Sequence, residues 1–546
     1  MKVLYQDKEI ETKEGIRVNE LCEADIQKAT NAVMGCRVNN EVKPLNYALH
    51  DRAKLELIDY TNKDGKRIYV RGLLFVMGKA FSELYPDALL TVDYQLDNAM
   101  LCEVDNKKVT DEMIAKVKER MNEIIQKDLP IVRKEMKREE AESFYNKERT
   151  LKGKLQLDLK EEKDVTFYFC DNYFNYFYGV MPISTGHLKI FDIIKYRQGF
   201  LIRYPSKQNP TQLAPYKECN KLIETLDDYE KVHRVLNVNT IYKLNRVVQE
   251  HKAKECILVD EALHEKRIIE IANQIANRKN TKVVLIAGPT SSGKTTFAKK
   301  LGIQLRLNGM KPVTISVDNY FVEREETPRD EFGNYDFESI HAIDLKLFND
   351  HLRKLIEGET ILAPTFDFLS GKKVYKGNTM SLAKDEILVI EGIHCLNDEL
   401  TSEIDKSLKF KIYISALTVL NIDYYNRIST TDTRLVRRIV RDFNFRGYSA
   451  LHTLAMWDSV NRGENRNIFP FQEEADAMFN SSLVYELGVL RNYAMPLLKR
   501  IGNIHPEYSE AKRLYRLLSY FEPIDPKYIP NHSLIREFIG DSVFEE

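Results

Sequence analysis

Residues 282–296 read KVVLIAGPTSSGKTT. An apolar run leads into Gly288, Pro289, Thr290, Ser291, Ser292, Gly293, Lys294 and Thr295. A helical pattern, TTFAKKLGIQLRL, takes over at Thr295 and Thr296. The eight residues from Gly288 satisfy G-x-x-x-x-G-K-[ST] in full, in a strand–loop–helix setting. The spacing has a chemical reason. Glycines let the backbone curl until its N–H groups point inward at a phosphate, and the helix N-terminus adds partial positive charge. The Lys294 ammonium reaches the β and γ oxygens, and the Thr295 hydroxyl is placed to ligate Mg²⁺. Residues 288–296 are therefore expected to hold ATP with Mg²⁺. A phosphate loop by itself does not separate a kinase from a nucleotide switch.

Three further apolar runs follow, PVTISVD (312–318), EILVIEG (386–392) and FKIYISA (410–416), each trailed by helical periodicity. Strands buried on both faces read this way, which predicts an α/β fold with a doubly wound parallel sheet over 281–500. Ligands in such sheets sit at the carboxyl ends of the strands. Asp318 and Glu391 stand at two of those ends. Asp318 is suited to be a general base for an acceptor hydroxyl, and Glu391 to partner Mg²⁺ or its waters. Acids also begin loops at strand ends for no chemical reason, so position alone leaves both readings open. In DTRLVRRIVRDFNFR (432–446), Arg434, Arg437, Arg438 and Arg441 recur at i, i+3, i+4 and i+7. One helix face thus carries four guanidiniums, which suits a lid clamping phosphate or a solvated basic face.

The remainder bounds the answer. A chain of 546 residues is long enough for about three or four domains. Lys+Arg is 81 against 82 Asp+Glu, a formal charge of −1. That balance speaks against DNA as a partner, since phosphate contacts need a basic excess. The seven cysteines, Cys22, Cys36, Cys102, Cys170, Cys219, Cys256 and Cys395, are scattered with no C-x-x-C pair. Free thiols and a cytoplasmic setting are expected. MKVLYQDKEIETKEG lacks the apolar core of a signal peptide, and no apolar run approaches the ~20 residues that span a bilayer. No membrane contact is expected. Short β-like runs alternate with turns over 1–60, as in a small α+β domain. Helical patterns flank a β pair over 66–150, the second running from Asp111 to Tyr145. A polar helical connector is read over 211–280 and an extension over 501–546. His187, in STGHLKIF, stands in a turn-like context and reads as structural.

Taken together, GPTSSGKTT (288–296), SVDNYF (316–321), NYDF (334–337), PTFDF (364–368), VIEGIH (389–394), DTRLVRRIVRD (432–442) and EEADAMFN (473–480) resemble the uridine kinase branch of P-loop nucleoside and phosphoribulose-type kinases. The resemblance covers roughly 281–490. It implies ATP–Mg²⁺-dependent phosphorylation of a nucleoside 5′-hydroxyl, with Asp318 as base and Asp336 holding the ribose hydroxyls. It also implies Arg438, Arg441 and Arg446 as lid arginines on phosphate or substrate, and a family habit of assembling as homo-oligomers. Where such kinases usually carry a tyrosine and a histidine around the pyrimidine, this chain has Phe366 and Gly371. Tyr448 replaces an arginine, and Met456, beside Trp457, a glutamine. A site that loses hydrogen-bonding groups loses discrimination, so another small alcohol or a sugar phosphate stays open as acceptor.

The front half is similar to something else. Residues 1–60 resemble the ubiquitin-like domain that opens threonyl-tRNA synthetases, and 61–210 the editing-type domain that follows it there. The editing domain uses an H-x-x-x-H pair with a Cys and a His. The matching positions here are Arg71, Phe75, Phe177 and Met181, so metal binding and editing hydrolysis are not expected. A retained scaffold for assembly, ligand sensing or RNA contact is the implied role. An RNA-linked nucleotide switch is the rival to a kinase, and the near-neutral charge weakens it.

Overall fold

The computed structural model describes residues 1–148, 164–331, 333, 335–367 and 370–544. Asn334 and Phe368, which belong to two of the quoted blocks, lie outside the described residues. The chain opens with a five-stranded sheet in the spatial order Lys8–Glu11, Lys2–Tyr5, Ala53–Asp59, Val33–Val38, Glu41–Lys43. The helix Lys63–Leu84 follows, its first turn capped by the Asn62 side chain accepting from the Asp64 amide. It packs on the helix Asp111–Gln126 and carries much of a core that includes Leu73, Phe75, Met77 and Phe81. A second sheet runs Asp192–Tyr196, Gly199–Arg203, Ala99–Val104, Leu90–Leu96.

The continuous helical pattern expected from Asp111 to Tyr145 is not one helix. It ends at Gln126, and Val132–Lys137 is a strand paired antiparallel with Asp164–Cys170 before a helix resumes at Arg138. Asp128 sits at φ 47° and Pro130 has no amide to donate, so the backbone ladder cannot continue through them. Charged residues at near-helical spacing conceal such a break.

The helices Asn220–Val235, Ile241–Gln249 and Ala253–Asn277 lead to the sheet that matters for chemistry. Its order is Lys311–Ser316, Glu386–Glu391, Val283–Ala287, Lys409–Ser415, Ala477–Asn480, and every pairing is parallel. Both faces are covered, as a parallel sheet requires. Val284, Ile286, Val389, Ile412 and Ile414 pack toward Phe297, Leu301 and Leu435 on one side. Leu285, Leu388, Ile390 and Tyr413 pack toward Phe348 and Leu352 on the other. The four predicted strands are all present. The fifth, Ala477–Asn480, is too short and flanked by too many acids to announce itself by hydropathy.

Front and back halves are joined by a network of half-buried arginines on buried carboxylates. Arg67 lies 2.7 Å from Glu510, and Arg513 bridges Glu510 at 2.8 Å to Asp432 at 2.5 Å. Asp432 stands in the first turn of the arginine helix Thr430–Arg446, so the front half touches the predicted lid directly. Among the described residues, no helix is long and apolar enough to cross a membrane.

Candidate active site

The loop leaves the strand Val283–Ala287 and enters the helix Lys294–Leu307 through Gly293, at φ +84°. Gly288 is required for a different reason. A Cβ built there falls 2.0 Å from the Ile414 carbonyl oxygen on the neighbouring strand. Gly288→Ala is therefore expected to push the loop off the sheet. Loss of ATP binding in a protein that keeps its helical circular dichroism is the result that checks it.

The Lys294 ammonium donates to the Gly288 carbonyl at 3.1 Å. The hydroxyls of Ser291 and Ser292 are buried without a hydrogen-bond partner, and Thr295 is exposed at the mouth. Buried polar groups normally find partners, so a loop with unspent donors beside an ammonium suits a polyphosphate.

Asp318 follows the strand Lys311–Ser316 and opens to solvent in a cleft crowded by protein. That crowding raises its carboxyl above the usual aspartate range, while Lys294 and Arg446 nearby pull it back. Glu391 ends the adjacent strand and accepts from the Ser316 hydroxyl at 3.2 Å. Burial raises it too, with Asp318 adding to the effect and Lys294 opposing. Lys294, Asp318 and Glu391 thus form one electrostatic cluster. Thr295 and Glu391 supply hard oxygen donors of the kind Mg²⁺ takes alongside phosphates.

The arginine face divides in two. Arg434 and Arg437 are fully buried and bind neither solvent nor an open cleft. Arg434 holds Glu464 in a bidentate pair at 2.5 and 2.8 Å, and its guanidinium also reaches the Thr290 carbonyl at 3.2 Å and faces the Trp457 ring. Glu464 accepts the Thr290 amide at 3.0 Å. Arg437 pairs with Glu486 at 2.5 Å and donates to the Ser291 carbonyl at 3.3 Å. These two brace the phosphate loop from behind, which corrects both a four-arginine clamp and a solvated face. Arg438 and Arg441 remain partly open. Arg438 donates to the Thr290 hydroxyl at 3.2 Å, and burial lowers Arg441 to about 10. Both lean, with Arg446, on the buried carboxylate of Asp442 at 3.1 to 3.5 Å.

The residues expected on the acceptor side fare differently. Asp336 pairs with Arg466 at 3.3 Å. Phe366 is buried against Phe321, with ring centroids 5.5 Å apart, so it supports the cleft from the core. Tyr448 is exposed just past the helix-ending Gly447 with its ring tilted against His452, centroids 4.5 Å apart, and Met456 is exposed as well. Trp457, by contrast, is buried.

Sequence reading overlooked Glu338, two residues after Asp336. Burial pushes its carboxyl up to about 7, with Glu464 adding to the effect while Arg438 and Lys294 oppose it. The Glu338 side chain packs on Gly463, where an added Cβ would sit 2.5 Å from its Cβ. A carboxyl that ionises there opposes a bound polyphosphate. ATP affinity is expected to fall as pH rises through about 7. Comparing calorimetric titrations of wild type and Glu338→Gln isolates this from the ionisation of ATP itself, since only the wild type carries the extra dependence.

In the front half, Phe75, Phe177 and Met181 are core residues, with Phe75 and Phe177 ring centroids 5.9 Å apart. Arg71 donates to the Val180 carbonyl. His187 is half-buried in a short 3₁₀ turn, and burial lowers its pKa.

Both halves of the chain have relatives among known proteins. The phosphoribulokinase/uridine kinase family matches residues 283–486. Uridine kinase of Borrelia turicatae is 30% identical over 196 residues, 36% of this chain and 84% of that kinase. Threonine–tRNA ligase of Clostridium kluyveri is 29% identical over 188 residues, 34% of this chain. The chain spans only 30% of that ligase's length. A solved structure from Bacillus stearothermophilus, described as a possible uridine kinase, aligns at 18% identity and a TM-score of 0.26, covering 38% of this chain and 97% of that one. With a front half matching threonine–tRNA ligases, the chain belongs to the phosphoribulokinase/uridine kinase family.

Proposed function

We propose that this protein is an ATP-dependent kinase that transfers the γ-phosphate to the 5′-hydroxyl of a nucleoside. The observation that carries the reading is the cluster of Lys294, Asp318 and Glu391 at the carboxyl edge of the sheet, beside the loop. Asp318 orients the acceptor hydroxyl and takes its proton. The hydroxyl oxygen bonds to the γ-phosphorus as the bond to the β–γ bridging oxygen breaks, releasing ADP. A carboxyl held above the usual range is a better base, because a general base works best with a pKa near the working pH. Lys294, Arg438 and Arg441 stabilise charge on the phosphate oxygens. Thr295 and Glu391 would hold Mg²⁺, which when bound neutralises the β- and γ-oxygens. Arg446 and Tyr448 border the acceptor side, and Asp336 is the residue for the ribose hydroxyls.

A second reading keeps the chemistry and changes the acceptor. The Asp336–Arg466 pair and the burial of Phe366 favour it, since both withdraw groups expected on a nucleoside. ATP consumption with Mg²⁺ against a panel of nucleosides and sugar phosphates tests both. Turnover with a nucleoside supports the first reading. Turnover with sugar phosphates alone moves the assignment to the second, and no turnover with any alcohol overturns the kinase reading.

A further inference from the structure

The helix that follows the phosphate loop already has a carboxylate on its first turn. Glu537, from the short helix Arg536–Ile539 near the C-terminus, accepts the Thr296 amide at 3.2 Å and the Thr296 hydroxyl at 2.8 Å. The first-turn amides of a helix have no partner within it and are the donors a bound phosphate uses. Lys294 serves the β and γ oxygens, so Thr296, further along the turn, belongs to the inner phosphates. The same segment closes over the loop's glycine, with a Cβ built at Gly293 falling 2.4 Å from the Leu534 side chain.

We infer that Glu537 is an internal competitor for the nucleotide, a carboxylate that must leave Thr296 before an inner phosphate takes its place. The inference rests on the reading of the loop as an ATP site. The surrounding contacts fix what moves. Arg536 donates to the Ile529 and Pro526 carbonyls at 2.8 and 2.9 Å, Lys300 to the His532 carbonyl at 3.2 Å, and Asn444 of the arginine helix to the Phe538 carbonyl at 3.1 Å. Ser533 donates to the buried Glu261. The backbone around Glu537 is thereby pinned on several sides, so release is a swing of one side chain. Glu537 lies near enough to Arg441 and Glu391 to act on both, which gives the released carboxylate a cation to face and a like charge to avoid. Because Asn444 sits on the arginine helix, the segment that carries Glu537 touches both that helix and the first turn after the phosphate loop.

Calorimetric binding of ATP–Mg²⁺ and of tripolyphosphate to the full chain tests this in wild type, Glu537→Gln, Glu537→Ala and Lys294→Ala. Both Glu537 variants are expected to bind both probes about tenfold more tightly, because the competing charge is gone. Equal or weaker binding in both variants, with wild type binding ATP and Lys294→Ala losing it, overturns the inference and leaves the ATP site standing. No ATP binding by any of the four proteins overturns the ATP site itself, and the inference with it. Should one Glu537 variant fail to fold by circular dichroism, the other decides.

Discussion

Asp318→Asn is expected to lower acceptor-dependent ATP turnover by about 10²–10⁴-fold, the ordinary contribution of a positioned general base. Asparagine keeps the shape and can still orient a hydroxyl, but it cannot take the proton. ATP affinity should change little, because the residues bound to the loop backbone are Arg434, Arg437 and Glu464. The expected pattern is a fall in kcat with nearly unchanged ATP binding. The pH profile supplies a second check. The base must be ionised, and its carboxyl is raised by the crowded cleft, so activity is lost as pH falls through a midpoint above the usual aspartate range. The variant should lose that acid limb. A variant that keeps wild-type turnover and the same limb would remove Asp318 from the mechanism.

Much of this site was legible in the sequence because its chemistry is local. A phosphate loop is written in eight consecutive residues, and the strand before it and the helix after it follow from hydropathy alone. Strand-end acids were legible for the same reason, since Asp318 and Glu391 directly follow or end apolar runs. What was not legible is what those residues touch. Arg434 and Arg437 share a helix face with Arg438 and Arg441, and periodicity cannot tell a brace from a clamp. Their roles depend on Glu464 and Glu486, 30 and 49 residues away. Glu537 is still more distant, 241 residues from the Thr296 it binds. In the front half Phe75, Phe177 and Met181 read as apolar in the sequence and lie in the core. The junction of Arg67, Glu510, Arg513 and Asp432 was not legible, because each charge looks like surface until its partners bury it.

Glu464→Ala tests the brace, and its expected effect on the fold is the largest of any single substitution here. Removing the carboxylate leaves the Arg434 guanidinium buried and uncompensated, a loss of about 3–5 kcal/mol of stability for a pair broken on one side. Both partners are about 1% exposed, so water cannot rescue the orphaned charge. The Thr290 amide loses its acceptor at the same time, and Thr290 lies within the phosphate loop. Stability and nucleotide binding should therefore fall together, seen as a lower thermal midpoint and weaker ATP binding measured well below it. Arg434→Met with Glu464→Leu separates the two effects. An apolar pair of similar volume restores packing, and replacing a buried ion pair this way is often neutral or better for stability. It cannot restore the bonds to the Thr290 amide and carbonyl. The double variant should regain its thermal midpoint yet keep the weakened ATP affinity. Recovery of both would mean that the pair stabilises the arginine helix and leaves the loop to position itself.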